Sequence, residues 1–181
     1  MDDWLPGGRR VPSPNCDSRP AGAEISLALL HSISLPRGTY RKDAGGDAIE
    51  RLFTNRLEAS AHPSFADLAG LRVSSHFLIY RDGELVQFVP LGARAWHAGA
   101  SCWRGRERCN DFSVGIELEG IDDGAFAAVQ YEVLLHVLAS LQTRLPLRQI
   151  AGHSDVAPGR KSDPGTRFDW PRLLAALGRS R

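Results

Sequence analysis

The stretch HFLIYRDGELVQFVP, residues 76–90, constrains the fold most. Two runs rich in Phe, Ile, Val and Tyr flank Asp82-Gly83, a dipeptide suited to the positive φ of a tight hairpin turn. At least one antiparallel strand pair is therefore expected here. Other short apolar runs join it. ISLALLHSI, from Ile25, has the length of a buried strand, and Pro36 bars its continuation. DFSVGIELEG alternates as a strand ending at Gly120, and RQIAGHS reads as a short strand running into a loop.

Helical signals lie between these strands. FAAVQYEVLLHVLASLQTRL is amphipathic, with Phe126, Val129, Val133, Val137 and Leu141 on one stripe and Pro146 beyond its end. DWPRLLAALG reads as a last helix, with Asp169 as N-cap, Pro171 in the first turn and Gly178 closing it. A shorter helix is expected around DAIERLFTN, followed by a loop at AHPSF. Strands mixed with helices around one hairpin predict an α/β fold, a single domain whose mixed β-sheet is flanked by helices. Residues 1–24 are rich in Pro, Gly, Ser and Arg without a period, and read as an irregular N-terminal arm before a domain spanning 25–181.

Composition narrows the function. A chain of 181 residues fits one domain. Its net charge of +1 lacks the basic surplus of a phosphate-driven nucleic-acid binder or a polybasic membrane-surface protein. No window reaches the ~18 apolar residues of a membrane span. The first residues hold no apolar core of a secretory signal, so none is expected. Cys16, Cys102 and Cys109 form an odd set without a C-x-x-C pair, which suits free thiols in a reducing cytoplasm. Nothing points to an obligate protein partner.

The polar stretch GHSDVAPGRKSDPG, residues 152–165, is stiffened by Pro158 and Pro164, and such loops often carry function. If residues 161–163 are extended, as Pro164 favours for its neighbour, Lys161 and Asp163 share a face. Among the six histidines, His136 falls on a polar helix face, His62 precedes Pro63 in a loop, and His76 opens a strand as a structural residue. His97, in AWHAG, could line a cleft. His31 and His153 each end a short apolar run, where an open α/β sheet places ligands. With Asp163 they form a possible two-histidine, one-carboxylate metal set with an open position for water. Spacing alone leaves this beside a plain structural reading of each histidine. Glu117 and Glu119 alternate along one strand face, where a carboxylate is costly unless exposed or used. Lys161 also stands out, because 22 basic residues include only two lysines. A compact ammonium suits a developing oxyanion.

RRVPSPNCDSRP, LLHSISLP, LRVSSHFLIYRDGELVQFVP, RAWHAG, GRERCNDFSVGIELEG and GHSDVAPGRKSDPGTRFDWPRLL follow one another as in the AmpD family. From about Arg9 onward the chain resembles these bacterial amidases of cell-wall recycling, within the amidase-2 and peptidoglycan-recognition-protein fold. The resemblance implies one catalytic zinc on His31, His153 and Asp163. It implies Glu117 as acid/base and Lys161 as the transition-state cation. It also implies a small muropeptide substrate, cut in the cytoplasm between the lactyl group of (1,6-anhydro-)N-acetylmuramic acid and L-alanine. Arg72 and Arg108 are expected to hold the substrate's carboxylates, the plain alternative for each being a surface ion pair; His97 is placed at the substrate site, and Trp96 either stacks on the sugar or stem peptide or belongs to the core. Ser32 departs from the pattern, which has Asn after the first ligand. Three other readings remain: an amidase of intact peptidoglycan, a non-catalytic peptidoglycan-binding module on the same fold, and a cysteine hydrolase, for which no acceptor is placed beside a thiol.

Overall fold

A computed structural model describes residues 3–178. Ten strands run in chain order: β1 Arg9–Arg10, β2 Cys16–Ser18, β3 Leu27–Ile33, β4 Phe77–Ile79, β5 Leu85–Gln87, β6 Ala93–Ala95, β7 Cys102–Trp103, β8 Arg106–Glu107, β9 Ser113–Glu119 and β10 Gln149–Gly152. The helices are α1 Ala48–Phe53, α2 Ala128–Gln142, the single turn α3 His153–Val156, and α4 Trp170–Ala176. The main sheet has the order β1-β5-β4-β9-β3-β10. Only β4 and β5 pair antiparallel within it, through the expected hairpin; the other neighbours are parallel. The fold is therefore α/β with a mixed sheet.

Period-two alternation assigns each strand two faces. Ala28, Leu30, Phe77, Ile79, Val114, Ile116 and Leu118 turn to one side and pack with Leu134, Val137, Leu138 and Leu141 of α2 and Leu173 of α4. On the other side, Leu78, Tyr80, Val86 and Phe88 meet Ile49, Leu52 and Phe53 of α1. Leu27 and Leu29 pack there against Ala98, Phe112 and Val156. Helices thus flank both faces, and the second face retains a polar opening at the carboxyl ends of β3 and β9.

The structure corrects three expectations. The segment read as irregular is woven into the fold. β1 pairs with β5, β2 pairs with β6, and Leu5 is buried. Arg19 anchors this segment by donating to the carbonyls of Asn110, Asp111 and Ser113. Such partners come from distant chain segments and leave no local period. The buried stripe of α2 is also rotated from the expected one. Gln130, Tyr131, Leu134, Val137, Leu138 and Leu141 are buried, while Val129 and Val133 are half-buried on the rim. Gln130 is the reason: its amide donates to the carbonyls of Ile79 and Glu119 and accepts from the backbone of Ala127. A polar residue therefore occupies the core face. Finally, His31 does not end its strand, which continues to Ile33.

The remaining helix expectations hold. Asp169 accepts from the Arg172 amide as N-cap, Pro171 lies in the first turn, and Gly178 has φ +63. Truncation separates the two versions of the α2 face. Leu134→Ala should cost about 2–5 kcal/mol. Val129→Ala should cost less than about 1 kcal/mol. Urea unfolding of the two variants measures both; equal losses would restore the original stripe.

Candidate metal centre

Strand register builds the site. His31 on β3 lies opposite Glu117 on β9, so both project from the same face. Gly152 at the end of β10 lies opposite Leu30, so His153, the next residue, comes level with His31. Three chemically active side chains from distant parts of the sequence thus form a row across adjacent strands. Glu119, two residues beyond Glu117, is spent locally: it accepts from the backbone amides of Arg41 and Arg81.

The loop after β10 supplies the rest. The Ser154 amide donates to the Asp163 carbonyl, which ties the loop to α3. Ser162 donates to Asp122 at 2.5 Å, and Arg37 grips the same carboxylate. Gly165 has φ +97, and a Cβ there would lie 1.8 Å from the Asp122 carbonyl oxygen. Pro164 packs closely over Gly152, where a Cβ would stand 2.8 Å from its ring. The glycines and prolines of this stretch therefore fix the loop where two backbones nearly touch.

Asp163 Oδ2 stands 3.1 Å from the Nδ1 atoms of both His31 and His153, and those two nitrogens are 3.0 Å apart. The triangle is a site fit for a cation. The outer nitrogen of His153 faces the Ala98 carbonyl at 3.1 Å. A carbonyl can only accept, so Nε2 carries the proton and Nδ1 presents a lone pair. Burial lowers His31 to about 4, outweighing the opposing pull of Asp163, so its ring is neutral at neutral pH. The Asp163 carboxyl lies below the ordinary carboxylate range despite its burial, so it is ionised. Two neutral imidazoles and a carboxylate are the states in which these residues ligate metals.

A cleft of about 270 Å³ opens over the triangle. Glu117, Lys161, Ser32 and His97 line it, with an apolar wall that includes Leu52, Phe53 and Leu71. Glu117 is buried, and burial pushes its carboxyl well above the usual range; Asp163 adds to the rise and Lys161 opposes it. Arg72, Arg108 and Trp96 stand outside this lining. Arg72 is exposed beside Leu71. Arg108 is exposed and faces Asp111 at 3.4 Å. Trp96 joins Arg94 in holding the Asp17 carboxylate below its ordinary range, with Arg94 dominant.

Of the other histidines, His136 is exposed as expected, and His62, instead of lying in a loop, caps a short 3-10 helix, Pro63–Leu68, accepting from the Ser64 amide. His76 is fully buried, accepting from the Gly115 amide and facing the Ala93 carbonyl. Burial, with Arg19 beside it, lowers His76 to about 3. The cysteines are free, and burial raises the thiols of Cys16 and Cys109, which weakens them as nucleophiles. Sequence reasoning missed Asn110, whose side-chain oxygen accepts from the amides of His97 and Ala98. It also missed Gly115, where a Cβ would lie 2.6 Å from the His97 ring. A glycine inside a strand was the available signal.

Residues 22–166 match the family model described as N-acetylmuramoyl-L-alanine amidase. The chain is 53% identical to the 1,6-anhydro-N-acetylmuramyl-L-alanine amidase AmpD of Escherichia coli K12, over 97% of this chain and 95% of that one. A crystal structure of a selenomethionine AmpD derivative superposes with a TM-score of 0.91 at 51% identity, covering 97% of each chain. A complex of the Escherichia coli amidase AmiD with anhydro-N-acetylmuramic acid-L-Ala-D-gamma-Glu-L-Lys superposes with a TM-score of 0.62 at 28% identity, covering 90% of this chain and 62% of that one.

The raised Glu117 carboxyl has a measurable consequence. In the unfolded chain it ionises near 4.5, whereas the metal-free fold resists ionising it. Between those points the folded state binds more protons, so stability falls as pH rises. Glu117→Gln removes that penalty. Chelator-treated Glu117→Gln should melt above the chelator-treated parent at pH 7, with the gap closing near pH 4. Each 1 kcal/mol corresponds to roughly 2–4 °C. A gap that does not vary with pH would contradict this environment for Glu117.

Proposed function

The chain belongs to the N-acetylmuramoyl-L-alanine amidase family, on its AmpD branch, and from that premise we propose how its residues divide the chemistry. It is an amide hydrolase of anhydro-muropeptides, cutting between the lactyl group of (1,6-anhydro-)N-acetylmuramic acid and the L-alanine of the stem peptide. The observation that carries the division of roles is the row His153, His31 and Glu117, closed by Asp163 at 3.1 Å from both histidines.

Zinc is the ion this donor set suits. Ligand atoms about 2.0–2.1 Å from a tetrahedral zinc lie roughly 3.3 Å apart, close to the spacing seen, and three protein ligands leave a vertex free. When bound, zinc supplies Lewis acidity to the lactyl carbonyl and to the attacking water. Glu117, buried in the lining of the same cleft, would receive the water's proton on a carboxylate oxygen. It then delivers the proton to the amide nitrogen, which departs as the amino group of L-alanine. The Lys161 ammonium, lining the same cleft, balances the negative charge that develops on the carbonyl oxygen. The apolar wall excludes water beside the reacting amide. Arg72, next to Leu71 at the rim, and Arg108 are assigned to the stem-peptide carboxylates, for which guanidinium is a bidentate partner. Trp96 is assigned to the sugar or peptide flank.

Other parts of the reading concern setting. The three free cysteines suit reducing surroundings, in support of cytoplasmic action on small released muropeptides. No helix among the described residues is long and apolar enough to cross a membrane.

The deciding assay offers anhydro-muropeptide and intact sacculus, each with and without a chelator. Rapid, chelator-sensitive cleavage of the small substrate, restored by zinc, is expected. Preferential cleavage of sacculus would make the chain a wall amidase, and binding without cleavage would make it a recognition module. Two substitutions test the roles. Asp163→Ala should come off purification without zinc; full occupancy would remove it from the ligand set. Glu117→Gln should keep its zinc yet lose about 10²–10⁴ in turnover. Near-normal turnover in that zinc-loaded variant would end the assignment of Glu117.

A further inference from the structure

Segment 97–98 touches the outer nitrogen of both ligand histidines. His97 Nδ1 lies 2.9 Å from His31 Nε2, with the rings edge-on at 87°. The Ala98 carbonyl lies 3.1 Å from His153 Nε2. Asn110 Oδ1 accepts from both backbone amides of this segment, at 3.1 and 2.8 Å. Arg160 donates to the Ala98 carbonyl at 2.7 Å and to that of Ala100 at 2.6 Å. A one-residue shift of this segment would misplace both partners together.

We propose that His97 is a positioning residue for the metal, setting the tautomer and tilt of His31 rather than contacting substrate. The proposal rests on the reading of His31, His153 and Asp163 as the zinc ligands. The direction of the hydrogen bonds follows from where the chain ends. Ser113 Oγ donates to the Cys109 carbonyl at 2.6 Å, and that carbonyl can only accept. The hydroxyl therefore offers a lone pair to His97 Nε2 at 3.3 Å, which places the His97 proton on Nε2. His97 Nδ1 is then an acceptor, so His31 carries its proton on Nε2 and turns the Nδ1 lone pair to the triangle. Each link fixes the next, and the absence of a side chain at Gly115 makes room for the ring. Partners of this kind typically alter metal affinity by about 10–100-fold when lost.

The test measures zinc affinity of the holoenzyme by competition with a chromophoric chelator, together with the visible spectrum of the cobalt-substituted protein. His97→Phe fills the space without an acceptor. It should weaken zinc binding about 10–100-fold and alter the cobalt spectrum. His97→Asn places an amide oxygen near the former Nδ1 and should recover most of the affinity and the parental spectrum. A purely space-filling role predicts the reverse order. His97→Phe with parental affinity and spectrum overturns the proposal. If His97→Phe does not fold, Ser113→Ala decides: a several-fold loss of zinc affinity supports the chain of bonds, and parental affinity overturns it. A parent protein that binds no zinc would instead defeat the metal reading itself.

Discussion

The seven-residue parallel ladder from Leu27–Ile33 to Ser113–Glu119 sets His31 beside Glu117. Side chains alternate along both strands, so a slip of one residue would turn every group to the opposite face. His31 would then point into the apolar layer under α2, and Leu30 into the cleft. The ladder is protected from such slippage by its own apolar half. Leu30, Ile116 and Leu118 are fully buried against α2, and moving them into the polar opening would expose several large side chains at once. Packing on one side of the sheet thereby enforces geometry on the other.

Around that ladder, rigidity is added in layers. β10 brings His153 level with His31, and the following loop folds back to present Asp163. Backbone approach at Gly165 and Gly152 makes the loop's course a matter of steric fit, and Asp122 holds it from outside. Asn110 and Arg160 fix the segment that faces the outer nitrogens of the histidines. Few of these contacts touch the cleft. They keep three side chains at hydrogen-bond separation, with their donor atoms converging on one point.

Much of this was legible in the chain. The Asp82-Gly83 hairpin, the strand at Ser113–Glu119 and the capped helix after Asp169 follow from local chemistry, which acts between near neighbours. The α2 stripe was misplaced because Gln130 is buried through hydrogen bonds to strands far away in sequence, and a hydropathy pattern weighs only the residue type. The residues of the triangle could be nominated by type and loop context. Local spacing could not join them, because His31 lies 122 residues from His153 and only strand register brings them together. His97 is among the residues lining the cleft, and its contact with His31 depends on a side-chain direction that sequence does not carry.

The pairing of Arg9–Arg10 with β5 has a consequence beyond stability of that segment. A hairpin strand left open would offer a row of free amides and carbonyls on which another chain could template itself. Here the outermost strand is two residues long, and both side chains are charged and exposed. Short, cationic margins make poor seeds for fibril growth. Residues 9–10 thus leave this margin of the sheet little open backbone for another chain to pair with, far from the cleft.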